Sequence, residues 1–213
     1  MHFQATAGTI TVAAITVIVL LIGKALPKLI AVSGSASLML AGYLLIAAGW
    51  LCALSMISGA HLSTLLGGWR SGWILWGLLF GFLLFVVSGL GYAVVARLGL
   101  NPPAEASMAS DFTGVRTLLL VILVVVLAVL EEWLFRGVVL NFLQSKSAAL
   151  AVIGSAVAFA LYHFSVFQLL PTLLLGLGLG LIVVYFGALW PAIVAHALFN
   201  ILGVLMSAMG RYS

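Results

Sequence analysis

Between Thr117 and Leu143 the chain carries only three charged side chains, Glu131, Glu132 and Arg136, in a run that is otherwise almost wholly apolar. About 20 consecutive apolar residues suffice to cross a bilayer. Comparable runs lie near residues 9–26, 36–57, 73–97, 148–165, 168–187 and 190–209, so with 116–143 the pattern predicts about seven helices. Of the 213 residues, 65% are hydrophobic and 6% charged. A soluble domain of that composition would expose apolar patches far beyond what water tolerates. The expected fold is therefore an all-α, polytopic membrane bundle forming one transmembrane domain over residues 1–213, with any polar site in the last four spans.

The segments between spans are short, and no repeat, low-complexity tract or long linker interrupts them. The N-terminal MHFQATAGTI lacks a basic signal-peptide region, so the first span is expected to be retained. A net charge of +4 is spread over single basic residues at helix ends, which argues against nucleic acid as a partner and for a role in orientation. With the N-terminus outside, Lys24, Lys28, Arg97, Arg116 and Arg211 face the cytoplasm, and Arg70 and Lys146 face out. The C-terminus is then cytoplasmic, and the size of the chain suggests a prokaryotic plasma membrane.

Cys52 is alone, so it forms no intrachain disulfide and reads as a small buried hydrophobe. Trp69, Trp73, Trp76 and Trp190 fall near span ends, where amphipathic rings prefer the headgroup region. Gly176 and Gly180, four apart, suit a close helix approach.

Four acidic residues occur in the whole chain. Glu105 and Asp111 lie in the polar stretch between the third and fourth spans, which leaves Glu131 and Glu132 inside a span. Each ionised group at mid-bilayer costs on the order of 2.5–3.5 kcal/mol even on lenient insertion scales, so these residues need partners or a wet cavity. Glu132 and Arg136 have the favourable i,i+4 order for an ion pair. Glu131, turned about 100° away around the helix, is expected to meet something else.

The candidates are His163 and His196, each in a later span and each also readable as an interhelical hydrogen-bonding residue. Asn200 follows His196 by four and shares its face. Phe159 precedes His163 by four and is either a packing aromatic or part of a substrate-lining wall. A carboxylate and an imidazole can orient and deprotonate water, and an imidazole and an amide can donate to the oxyanion that forms on a peptide carbonyl. Two histidines and two glutamates could also ligate zinc in principle.

The order EExxxR (Glu131, Glu132, Arg136), FxxxH (Phe159, His163) and HxxxN (His196, Asn200) resembles the CAAX prenyl protease and bacteriocin-processing family, including its type II CAAX endopeptidases. The resemblance covers roughly the last hundred residues, with a core near 116–209. It implies an intramembrane glutamic endopeptidase with no covalent intermediate; Glu131 and His163 suffice as a water-activating pair, so no cofactor is expected, with a zinc site as the open alternative. In that scheme Glu131 and His163 activate water, His196 and Asn200 form the oxyanion hole, and Glu132 with Arg136 supports the site. The implied partner is a membrane-associated peptide, prenylated or bearing a leader. A catalytically silent immunity or peptide-binding protein and a proton-coupled transporter are the alternatives.

Straight, full-length helices would place His163 near one membrane face and His196 about six residues in from the other. One shared site therefore requires the stretch 164–171 to be broken or buried, or the sixth helix to be short and tilted.

Overall fold

The computed structural model describes residues 7–33, 40–50, 68–100 and 115–209, and helices are the only regular elements among them. They are α1 (Ala7–Ser33), α2 (Leu40–Trp50), α3 (Gly72–Arg97), α4 (Val115–Glu132), a π-helical stretch (Trp133–Leu140), α5 (Asn141–Gln144), α6 (Ala148–Tyr162), α7 (Val166–Phe186) and α8 (Trp190–Met209). Cys52, Glu105, Asp111 and Arg211 lie outside the described residues, as do the side chains of Lys24, Lys28 and Arg116. Of the second expected span, only α2 is described.

Gly72–Arg97, Thr117–Gln144, Val166–Phe186 and Trp190–Ser207 are long and apolar enough to cross a bilayer, and Ala148–Tyr162 is a shorter apolar helix. The protein is a helical integral membrane bundle. Its outward side chains are large and apolar, as lipid requires: on α3 alone Leu75, Leu79, Phe82 and Leu90 are exposed.

Because α3 is apolar all round, size decides which face it buries. The inward stripe is Trp73, Gly77, Gly81, Leu84, Ser88, Gly91 and Val95. A Cβ on Gly81 would meet the Ala195 carbonyl oxygen of α8 at 2.7 Å, and one on Gly91 would meet Leu174 of α7 at 3.0 Å. Small residues thus bring the backbones together where lipid offers no hydrophobic drive. Phe85 stacks edge-on with Phe199 further along, so α3 and α8 run parallel. Tyr92 meets Phe167, and Ser88 Oγ donates to the Pro171 carbonyl at 3.1 Å, so α3 and α7 run antiparallel.

Gly176 and Gly180 do what their spacing suggested. A Cβ on Gly176 would stand 3.0 Å from Ala156 Cα, and one on Gly180 would stand 3.3 Å from a methyl of Val152, so α7 lies directly against α6. The four tryptophans gather at one end of the bundle: Trp69 and Trp190 meet edge to face at 5.0 Å, and Trp73 and Trp76 pack on Phe186.

The expected break is real but smaller than 164–171. Helix α6 ends at Tyr162 and α7 begins at Val166, so only His163, Phe164 and Ser165 form the corner. Ser165 caps α7, its Oγ accepting from Gln168 N at 3.4 Å, and the helix then passes through Pro171. The short helix is the fifth apolar segment, not the sixth. At 15 residues, α6 rises about 22 Å, short of a hydrocarbon core of about 30 Å, and His163 stands at its C-terminal end.

Candidate active site

Glu131 and Glu132 close α4, and the backbone widens immediately after them into the π-helical stretch. Such turns release carbonyls from regular pairing and recur at functional sites. Here the Asn141 side-chain amide recovers two, donating to the Arg136 and Gly137 carbonyls at 3.0 Å each. The result places Glu132 and Arg136 side by side and fully buried, with Arg136 Nη1 donating to Glu132 Oε1 at 2.7 Å. Arg136 Nη2 donates to the Gly176 carbonyl at 3.0 Å, so the close α6–α7 packing also delivers an acceptor.

His196 comes from the first turns of α8. Its Nδ1 lies 2.7 Å from Glu132 Oε1, and its Nε2 lies 3.5 Å from Glu131 Oε2. Glu131 is thus met by one of the two histidines expected for it, and the same ring also serves Glu132. The glutamate side chains diverge around the helix, but an imidazole has a nitrogen on each side and fits between them. Glu132 Oε1 already accepts from Arg136, so it is the acceptor for the imidazole too and His196 Nδ1 carries a proton.

His163 is the residue at which α6 stops, and its Nδ1 lies 2.8 Å from the Phe159 carbonyl oxygen. A carbonyl only accepts, so Nδ1 is the protonated nitrogen and Nε2 keeps the lone pair in the neutral ring. The next residue, Phe164, has φ of +50°, a left-handed conformation that costs a non-glycine residue about 1–3 kcal/mol. Strain of that kind beside a candidate catalytic histidine is where such outliers cluster.

Glu131, His163, His196 and Asn200 line one cavity of about 500 Å³. Both imidazoles also stand edge-on to the Phe159 ring, at 4.8 and 5.6 Å, so the apparent separation in depth does not survive the short α6. Asn200 Nδ2 donates to the Val124 carbonyl of α4 at 3.4 Å. Phe159 itself is not part of the cavity wall. It is fully buried behind the histidines, which corrects its substrate-lining reading.

The rest of the wall was missed by sequence reasoning; it includes the polar Tyr92, Gln168, Thr172 and Ser207 and the apolar Leu120 and Val124. Gln168 gave a usable signal, because an amide side chain inside an apolar run needs a reason. From Glu131 the cavity extends toward Tyr92, Thr117, Gln168 and Ser207, near the C-terminal ends of α3 and α8 and the N-terminal ends of α4 and α7. Those four ends share one side of the bundle.

Among the described residues no three His, Cys, Asp or Glu side chains are grouped to hold an ion. Both nitrogens of His196 already face carboxylates.

Neither a curated protein nor a solved structure matches the chain. The family that the three motifs resemble is the one whose model matches: residues 113–202, with every candidate site residue inside them, match type II CAAX prenyl endopeptidase Rce1-like.

Proposed function

We propose that the chain is an intramembrane glutamic endopeptidase that hydrolyses a peptide bond of a membrane-associated substrate without a covalent intermediate. The observation that carries this reading is the convergence of Glu131, His163, His196 and Asn200, from three separate helical segments, on one cavity. A water held between Glu131 and His163 Nε2 loses a proton to one of them as its oxygen bonds to the scissile carbonyl carbon. The oxyanion that forms is met by the Asn200 amide and by His196 Nε2. Collapse breaks the C–N bond, and the proton taken from water passes to the leaving amine.

Glu132 constrains this chemistry. It holds the proton on His196 Nδ1, so donation from Nε2 requires the imidazolium form. Arg136 and His196 stand against Glu132 and Glu131, so the four groups compensate one another as an apolar bundle requires.

The same arrangement makes a proton-coupled pathway a poorer reading, because the ionisable groups cluster at one cavity instead of being spread through the membrane depth. The cavity side carries Arg97, and the opposite side carries Arg70 and Lys146, which with the N-terminus outside makes the cavity mouth cytoplasmic.

The test is cleavage of a mixed peptide library by the purified protein in liposomes, followed by mass spectrometry of the products. Wild type is expected to cut a defined subset, with Glu131→Gln and His163→Ala at least about 10²-fold slower. Equal cutting by either variant would overturn the assignment.

A further inference from the structure

Phe159 carries no hydrogen-bonding side chain, yet it touches Arg136, His163 and His196. The Arg136 guanidinium lies over its ring face, 4.6 Å from the centroid. His163 and His196 meet it edge-on. Its carbonyl takes His163 Nδ1. Arg136 then binds Glu132, and Glu132 binds His196 Nδ1, each at 2.7 Å, so the contacts close into a ring: Phe159, Arg136, Glu132, His196 and back to Phe159. All four are buried to 2% exposure or less.

The guanidinium explains why an aromatic is needed. Arg136 uses Nη1 and Nη2 on Glu132 and Gly176, but its Nε has no hydrogen-bond partner although it is buried. A π face near the guanidinium carbon offers the electrostatic compensation that an aliphatic side chain cannot. The Phe159 ring touches both imidazoles, so it bridges one histidine to the other.

We infer that Phe159 is a positioning residue that sets the two catalytic imidazoles relative to each other, a role resting on the protease reading above. It holds His163 by carbonyl and ring edge, and it holds His196 both directly and through Arg136 and Glu132. The distinguishing consequence is that losing the ring loosens both histidines at once.

The test uses the full chain in detergent micelles with histidine labelled in its ring nitrogens, and compares wild type with Phe159→Leu and, should leucine fail to fold, Phe159→Met. Solvent exchange of each Nδ1–H is measured by NMR, the two signals being assigned with His163→Gln and His196→Gln. In a variant that keeps its thermal transition, exchange is expected to quicken about tenfold or more at both histidines. Unchanged exchange, or a change at His163 alone, would overturn the role.

In parallel, a quenched fluorescent peptide carrying a bond that wild type cuts is expected to show kcat lowered about tenfold or more with KM within about twofold, as misplaced catalytic groups require. An unchanged kcat per folded molecule would also overturn it. Should wild type cut no peptide, the protease reading fails by itself and the exchange measurement still decides whether Phe159 registers the histidines.

Discussion

His196 Nδ1 and Glu132 Oε1 are 2.7 Å apart, and this hydrogen bond determines which imidazole nitrogen is turned toward Glu131. Glu132 is thus more than the counter-ion of Arg136: it is the group through which the ion pair acts on the site. Replacing it with glutamine leaves an oxygen acceptor but removes the charge. Glu132→Gln is expected to retain the fold with a loss of about 3–5 kcal/mol in stability, the usual cost of leaving a buried charge without its partner. Thermal unfolding in detergent checks the stability, and a drop in kcat larger than any change in KM checks the orienting role.

Arg136 supplies two donors in fixed directions, to Glu132 and to the Gly176 carbonyl. Lysine is a point charge on a flexible stem and cannot reproduce that fork. Arg136→Lys is expected to destabilise the protein by about 2–4 kcal/mol. Arg136→Met combined with Glu132→Gln is expected to lie closer to wild type in stability than Arg136→Met alone, because the double change removes the charge left unpaired. A double-mutant cycle on thermal stability measures that coupling directly.

Two glycines should respond differently. Gly176→Ala places a methyl 3.0 Å from Ala156 Cα, so α6 and α7 must separate, at an expected cost of about 1–3 kcal/mol. Gly203 lines the cavity with nothing within 4 Å of an added Cβ, and Gly203→Ala is expected to change stability by less than about 0.5 kcal/mol. Parallel melting curves separate the two.

Ser207 is exposed at the cavity mouth, on the side proposed to be cytoplasmic. In a Cys52→Ser background, Ser207→Cys is expected to react with a membrane-impermeant thiol reagent in inside-out vesicles and to stay unreacted in intact cells. Labelling in intact cells would reverse the orientation.

Much of the site was legible because charge is so costly in an apolar chain. Glu131, Glu132, Arg136, His163, His196 and Asn200 stood out simply as polar groups in membrane runs, and the i,i+4 relation paired Glu132 with Arg136 correctly. The spacing of Gly176 and Gly180 gave the α6–α7 approach for a similar reason, since absence of a side chain is visible in sequence. What stayed hidden depends on three-dimensional detail. The π-helical widening at Trp133–Leu140 has no residue signature, and the pairing of His196 with both glutamates depends on how α8 packs on α4, which spacing along the chain does not show. Phe159 was legible as an aromatic on the histidine face, but its depth was not. The inward stripe of α3 was hidden because every face of that helix is apolar, and size, not polarity, selects the buried one.

The most direct test of the central claim is a comparison of peptide termini by mass spectrometry in membranes expressing wild type or the isosteric Glu131→Gln variant, once both are shown to unfold at similar temperatures. Termini present with wild type and lost with the variant are the expected result, and they would name the substrate. Identical termini from two equally folded proteins would contradict a water-activating role for Glu131 and leave a peptide-binding protein in its place.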